Sequence, residues 1–447
     1  MSLQLSGHFT YRRLLRFVIS PVLMMICTSI YGVIDGFFVS NYIGKLPFAA
    51  VNFVMPVDLV AVAVGFMLGN GGNALISKKL GQGKKRLANQ YFSLLVYVST
   101  VIGVLLSAGG FFFTSQIVDF LGASEQLREP AIVYGKILFA GHLFYVWQNS
   151  FQSFFISAGK PDLSLRVSIL AGVTNAVFDF LFIVIFEWGL EGAALATVVG
   201  QMVGGILPLV YFARKNTSML RLGTTPLYMP VIVKAFSNGS SEMVSVLSGS
   251  IVSILYNRQL LSFAGEDGVA AYGAIMYVDF IFMAVFLGYA SSSAPLISFQ
   301  YGAKNYGELT NLLLKSIVLS GVGGIVITLL SECAAEPLLY IFVGYDAELL
   351  ELTVYGFRVY MLAFLFMGMN IFGSALFTAL NNGVISAAIS FLRTLVFETS
   401  CVLLLPIWLD VDGIWLSIVI AEILAFIVTG YFVFSKRKIY GYMNFYH

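Results

Sequence analysis

The stretch that decides the fold is "AAVNFVMPVDLVAVAVGFMLGNGGNALISKKLG" (49–81), because it occurs twice. With position 49 set on position 270, it lies without a gap over "AAYGAIMYVDFIFMAVFLGYASSSAPLISFQYG" (270–302). Asp58 then falls on Asp279, and the LIS of 75–77 on the LIS of 296–298. The same offset lays "VYG" at 133–135 on 354–356, Asn149 on Asn370, Ser153 on Ser374 and Gly192 on Gly413. One constant offset across separated segments marks an internal duplication of the whole chain.

Composition fixes the solvent of both copies. Of 447 residues, 59% are hydrophobic and 11% charged, and the mean hydropathy is +0.89. A soluble domain carries about 25% charged residues, so this chain cannot face water over its surface. It reads as an all-α polytopic membrane protein. At about 20 apolar residues per crossing, twelve helices are expected near 14–40, 47–77, 87–116, 129–157, 163–186, 191–213, 232–262, 268–299, 309–334, 350–380, 384–408 and 413–435. The run after Arg16 is too long for a signal core and reads as a retained first helix.

Six helices per copy give both copies the same membrane orientation, so the repeats are parallel. The expected division is an N-terminal lobe (1–213), a polar linker (214–231) and a C-terminal lobe (232–447). Two parallel repeats around a central cavity are a transporter architecture, for which a monomer suffices. Lysine and arginine set the orientation. Arg12, Arg13, Lys78, Lys79, Lys84, Lys85, Lys160, Arg214, Lys215, Lys304, Lys436 and Arg437 fall at the termini and even-numbered connections. The odd-numbered connections hold mostly acids. Both termini are therefore expected in the cytoplasm.

Three scattered cysteines and three separated histidines, His8, His142 and His447, form no zinc or disulfide spacing. No phosphate-binding loop is present, so an ATP-driven pump is excluded, and no cofactor is expected. Nothing points to nucleic acid. The runs "GNGGNA" (69–74) and "SSSAP" (291–295) read first as tight helix packing, and second as unwound backbone at a site.

Seven acids lie inside predicted spans: Asp35, Asp58, Asp179, Glu242, Asp279, Glu398 and Glu422. Each buried charge costs about 3 kcal/mol or more, so each faces a cavity, a partner or a proton. At about 1.5 Å per residue, Asp35 and Asp179 reach the same depth in the outer half of the first bundle. Asn175 precedes Asp179 by one turn, and Thr197 lies at similar height. Two carboxylates, an amide and a hydroxyl suit a hard cation such as Na⁺; they equally suit a proton shared between close carboxylates. Tyr31, Gln148 and Gln152 line the same region on successive turns, and Glu242 is a candidate for cationic substrate. Asp58 and Asp279 are secondary candidates, or ion pairs with Lys136 and Arg358. Glu398 and Glu422 lie at similar depth as a second candidate pair. Pro21 is a candidate bend point in the first helix.

With "IDGFFVSNYIG" (34–44), "TNAVFDFLFIVIFEWGLEGAALAT" (174–197), the segment 238–282 and "GIWLSIVIAEIL" (413–424), the chain resembles the multidrug and toxic compound extrusion (MATE) transporters over nearly its whole length. The resemblance implies two six-helix lobes forming a V, in a bacterial plasma membrane, exporting amphipathic, mostly cationic organic compounds in exchange for H⁺ or Na⁺. It assigns the first-lobe cation site to Asp35, Asn175, Asp179 and Thr197, and pocket positions to Tyr31, Gln148 and Gln152. Sodium-coupled relatives also place an acid on the tenth helix, where this chain has Asn370. A lipid-linked precursor flippase is the neighbouring alternative, but the intramembrane charge here is mainly acidic. An intramembrane aspartyl protease is more remote, since no GxGD is present and the duplication has no place in it.

Overall fold

The computed structural model describes residues 5–443; His447 lies outside them. Among the described residues all regular structure is helical. The first half folds as α1 (Tyr11–Phe38), α2 (Lys45–Gly81), α3 (Lys85–Phe120), α4 (Glu125–Ala140), α5 (His142–Ser157), α6 (Pro161–Asp179) and α7 (Gly189–Ala213). The second half holds α8 (Met229–Gly302), α9 (Tyr306–Val343), α10 (Ala347–Met361), α11 (Phe364–Ala379), α12 (Gly383–Ser390), α13 (Thr399–Leu404) and α14 (Pro406–Tyr440).

These elements make twelve crossings once the breaks are read. α8 is two crossings, parted at Gly265 with φ +65°. The fourth crossing, expected as one helix, is broken into α4 and α5 at Gly141, which lies against Val198 of α7. The tenth bends by 47° between α10 and α11. The eleventh is α12 and α13 joined by the wider turns of Phe391–Glu398.

The duplication is carried in the backbone. Gly44 (φ +117°) divides the first two crossings of one half as Gly265 does in the other, and the repeat alignment sets one glycine on the other. Both adopt a left-handed φ that favours glycine. The same offset pairs Gly83 with Lys304 and Gly189 with Asp410, all at positive φ.

The lobes meet at the end that carries the basic loops. One core there draws Phe17, Leu80 and Phe92 together with Leu296, Leu309 and Phe377. At the acidic end the cores are separate: Val39, Val118 and Leu138 in the N lobe, Leu260, Leu339 and Ile414 in the C lobe. The molecule is thus a V whose arms join at the basic face and part toward the acidic one.

Small residues of the first run make the joint. Gly71 lies against the backbone of Ala235 and Gly239, and Gly239 against the carbonyl of Met67. Ser298 donates to the carbonyl of Ala74 at 2.6 Å. Both runs remain helical, so tight packing is the observed use. The segment before α1 straps across the joint: the Phe9 amide donates to Glu308 Oε1 at 2.7 Å, and Asn311 donates to the Phe9 carbonyl at 3.0 Å. Residues 214–228 form no helix and run over the basic end of α3, where the Arg221 amide donates to Asn89 and the Gly223 amide to Ser93.

Candidate functional site

Asp35 and Asp179 each stand where a regular α-helix passes into wider turns. α1 continues as a π-helix over Val39–Ile43, and α6 continues as one over Phe180–Ile185. Such bulges free backbone from the ordinary ladder and recur at functional sites. Thr197 of α7 donates to Asp35 Oδ1 at 3.4 Å, and to its own helix at the Ala193 carbonyl. Asp179 is fully buried, and neither carboxylate oxygen has a hydrogen-bond partner. Asn175 Nδ2, one turn earlier, is also unpartnered. The two carboxylates are close enough to interact electrostatically.

Glycines on the facing helices let these side chains approach. Gly172 of α6 lies against the Tyr31 ring, Gly200 of α7 against Asn175, and Gly204 of α7 against Gln148. Gln152 is buried and donates weakly to Ser168 at 3.4 Å, while the amide oxygens of Gln148, Gln152 and Gln201 have no donor. An unsatisfied buried acceptor costs about 1–3 kcal/mol. Gln148 and Gln201 bring such acceptors to the helices that carry Asn175 and Thr197, a donor set suited to a proton or a hard cation. Ser168 sets Gln152 about three turns of α6 from Asp179.

The site has members that the sequence alone did not single out. Tyr134 of α4 is within electrostatic reach of Asp35, Asp58 and Asp179 together; its place in the duplicated "VYG" was the available signal. Gln201 follows Thr197 by one turn on the same face of α7, a spacing that pointed to it.

Several expected pairings are replaced. Asp58 is held by His142, Nε2 to Oδ1 at 3.2 Å, and not by Lys136, whose ammonium lies 4.9 Å from the Phe111 ring centroid. Arg358 faces Glu332 at 3.6 Å and not Asp279. In both cases the long cation reaches a partner near its own end of the helix, leaving the mid-membrane aspartate to neighbouring helices. Glu242 accepts from Asn70 of α2 at 3.1 Å, and Ser153 donates to the same Asn70 at 2.6 Å. Among the described residues no hydrogen bond links Glu242 to Tyr31, Gln148 or Gln152; it joins the lobes.

The C lobe holds a different cluster. Glu422 is 2% exposed and accepts from Arg393 and from Asn370, both at 2.6 Å. Glu398 and Asp279 lie within electrostatic reach of Arg393, and Asp279 Oδ1 has no donor. Glu422 therefore pairs directly with an arginine, and Glu398 lies within electrostatic reach of both. Removing one partner of a buried ion pair strands the other charge, at a cost on the order of 3 kcal/mol. Arg393→Met is accordingly expected to lower the thermal midpoint of the detergent-solubilised protein by several degrees. An unchanged midpoint would show that the pair contributes nothing.

With this geometry in place, comparison with known proteins places the chain. The MatE family model matches residues 21–181 and 241–402, one match in each lobe. Curated relatives include the multidrug export protein MepA of Staphylococcus haemolyticus (strain JCSC1435), 22% identical over 430 residues, covering 96% of this chain and 94% of that protein. MepA of Staphylococcus saprophyticus is 23% identical over 367 residues, covering 80% and 81%. Among solved structures, a MATE in complex with MaL6 superposes with a TM-score of 0.93 at 22% identity, covering 98% of this chain and 99% of that one. The outward-facing conformation of a multidrug resistance MATE family transporter of the MOP superfamily gives 0.91 at 22% identity, with 96% of both chains covered.

Proposed function

The chain belongs to the MatE family of membrane transporters, and on that premise we propose that it is a secondary antiporter exporting amphipathic, mostly cationic organic compounds in exchange for H⁺ or Na⁺ bound at Asp35 and Asp179. The observation that carries this reading is the Asp179 carboxylate, fully buried with neither oxygen hydrogen-bonded, beside a second carboxylate. A permanent structural role would supply donors; an exchangeable cation explains why they are missing. The multidrug export names of the relatives support the cargo class.

The basic loops support, by the positive-inside rule, a joined end of the V in the cytoplasm with arms that open outward. Asp35 and Asp179 then take the cation from outside. Neutralising them biases α1, α6 and α7 toward a rearranged state, and the cation's unequal affinity for the two states drives the cycle. Tyr31 and Gln148 border this site, with Gln152 further toward the joined end, and offer an aromatic face and amide oxygens to a cationic cargo. No covalent bond is made or broken and no cofactor is required.

The test is efflux of a cationic dye from proteoliposomes under an imposed proton gradient or sodium gradient. Efflux that follows one gradient and stops when it is collapsed is expected. Dye movement indifferent to both gradients would overturn antiport.

A further inference from the structure

Asp58, partly buried, and His142, buried, are a titratable pair that the coupling reading leaves unused. His142 is 3% exposed and opens α5 directly after the break at Gly141. The break aims its imidazole across to α2, where Nε2 meets Asp58 Oδ1 at 3.2 Å, and its ring centroid lies 5.0 Å from that of Phe139. Asp58 in turn lies within electrostatic reach of Asp35.

Asp35 of α1, Tyr134 of α4 and Tyr145 of α5 lie within electrostatic reach of Asp58, and Tyr134 is in turn within reach of Asp179 of α6. Thr197 of α7, which donates to Asp35, is neutral. Within this set His142 is the side chain able to carry positive charge, and histidine changes its charge near neutral pH.

The duplication supplies an independent observation. In the repeat alignment Asp58 recurs as Asp279, but Asp35 becomes Tyr256, Asp179 becomes Ser400 and His142 becomes Ala363. The two coupling carboxylates and the histidine are absent together from the lobe that holds the arginine-paired cluster. A histidine serving only helix packing has no reason to be confined to the lobe with those carboxylates.

We propose that the Asp58–His142 pair is a second titratable station of the N-lobe site, setting the pH window over which Asp35 and Asp179 exchange their cation. This rests on the coupling reading above and deepens it. With a proton on His142, the field at Asp35 is less negative and the coupling carboxylates release their cation more readily. With His142 neutral, Asp58 adds its charge in full and the cation is held more tightly. His142 acts through Asp35 and Asp179, so it is a positioning residue. Its proton comes from and returns to water.

The experiment measures initial dye efflux against pH in proteoliposomes for wild type, His142→Gln, His142→Arg, Asp58→Asn and the double variant Asp35→Asn/Asp179→Asn. One unit charge a few ångströms beyond contact shifts a titration by about one pH unit. His142→Gln should therefore move the efflux midpoint up by about that much, and Asp58→Asn should move it down. His142→Arg, with a fixed charge, should move it down and remove one titration step. If the histidine variants lower the rate but leave the midpoint in place, His142 is structural and the inference falls. Should His142→Gln fail to fold, Asp58→Asn carries the test alone, and an unmoved midpoint there also overturns it. If the double variant keeps normal coupling, the coupling reading itself fails, whatever the histidine variants do.

Discussion

Asp179→Asn is expected to bring gradient-driven efflux down to the level of empty liposomes, at least tenfold below wild type, without loss of the folded protein. The carboxylate is buried with no hydrogen-bond partner, so its negative charge stabilises nothing in the static structure. Asparagine has the same shape and removes the charge that attracts the cation. A buried unpaired charge costs more than a buried amide, so the variant should melt at the wild-type temperature or above. It should also lose any cation-dependent rise in stability, since a ligand stabilises only the state that binds it. Asp35→Asn is expected to act in the same direction, with a smaller gain in stability because Asp35 is only half-buried and Thr197 donates to it. Dye efflux and thermal unfolding, each measured with and without the coupling ion, check both. Normal coupling in either variant would return that aspartate to a structural role.

Gly239→Leu is expected to shut transport down from the opposite end of the molecule. A Cβ at Gly239 would collide with the carbonyl of Met67, and one at Gly71 with the carbonyl of Ala235. These glycines allow α2 of one lobe and α8 of the other to touch backbone to backbone, so a leucine there is a wedge between the lobes. Overpacking of this kind costs about 1–3 kcal/mol. If the state joined at the basic face bears that cost alone, the conformer ratio moves roughly five- to a hundredfold. Cysteine labelling from the basic face, with Ser298→Cys as reporter in both backgrounds, reads the shift: Ser298 is fully buried and donates across the joint to the Ala74 carbonyl. The wedge should make it reactive while efflux falls. Gly239→Ala, the milder change, should give an intermediate result. An efficient pump with Ser298→Cys still protected would show that the joint yields locally.

The candidate site was legible to the extent that its chemistry is local. Asp35 and Asp179 stood out because a carboxylate in an apolar helix is costly wherever the helix goes. Their common depth followed from the fixed rise of an α-helix per residue. Asn175 followed from its one-turn spacing. Partners were not legible. Asp58 chose His142 over Lys136, and Glu422 drew Arg393, because those choices depend on which helices touch and how they are rotated. The bond that Glu242 accepts from Asn70 across the lobes was likewise not legible.

By itself the sequence determined the solvent, the number of crossings and the pairing of the halves. Apolar length and a constant offset between repeats are properties of the chain before it folds. Only the tertiary structure decided where the lobes join, which breaks interrupt the crossings, and which acids are neutralised. Those outcomes depend on close approach between residues far apart in the chain. Gly71 on Gly239, Gly172 on Tyr31 and His142 on Asp58 are contacts between different helices, and no periodicity within one helix encodes them.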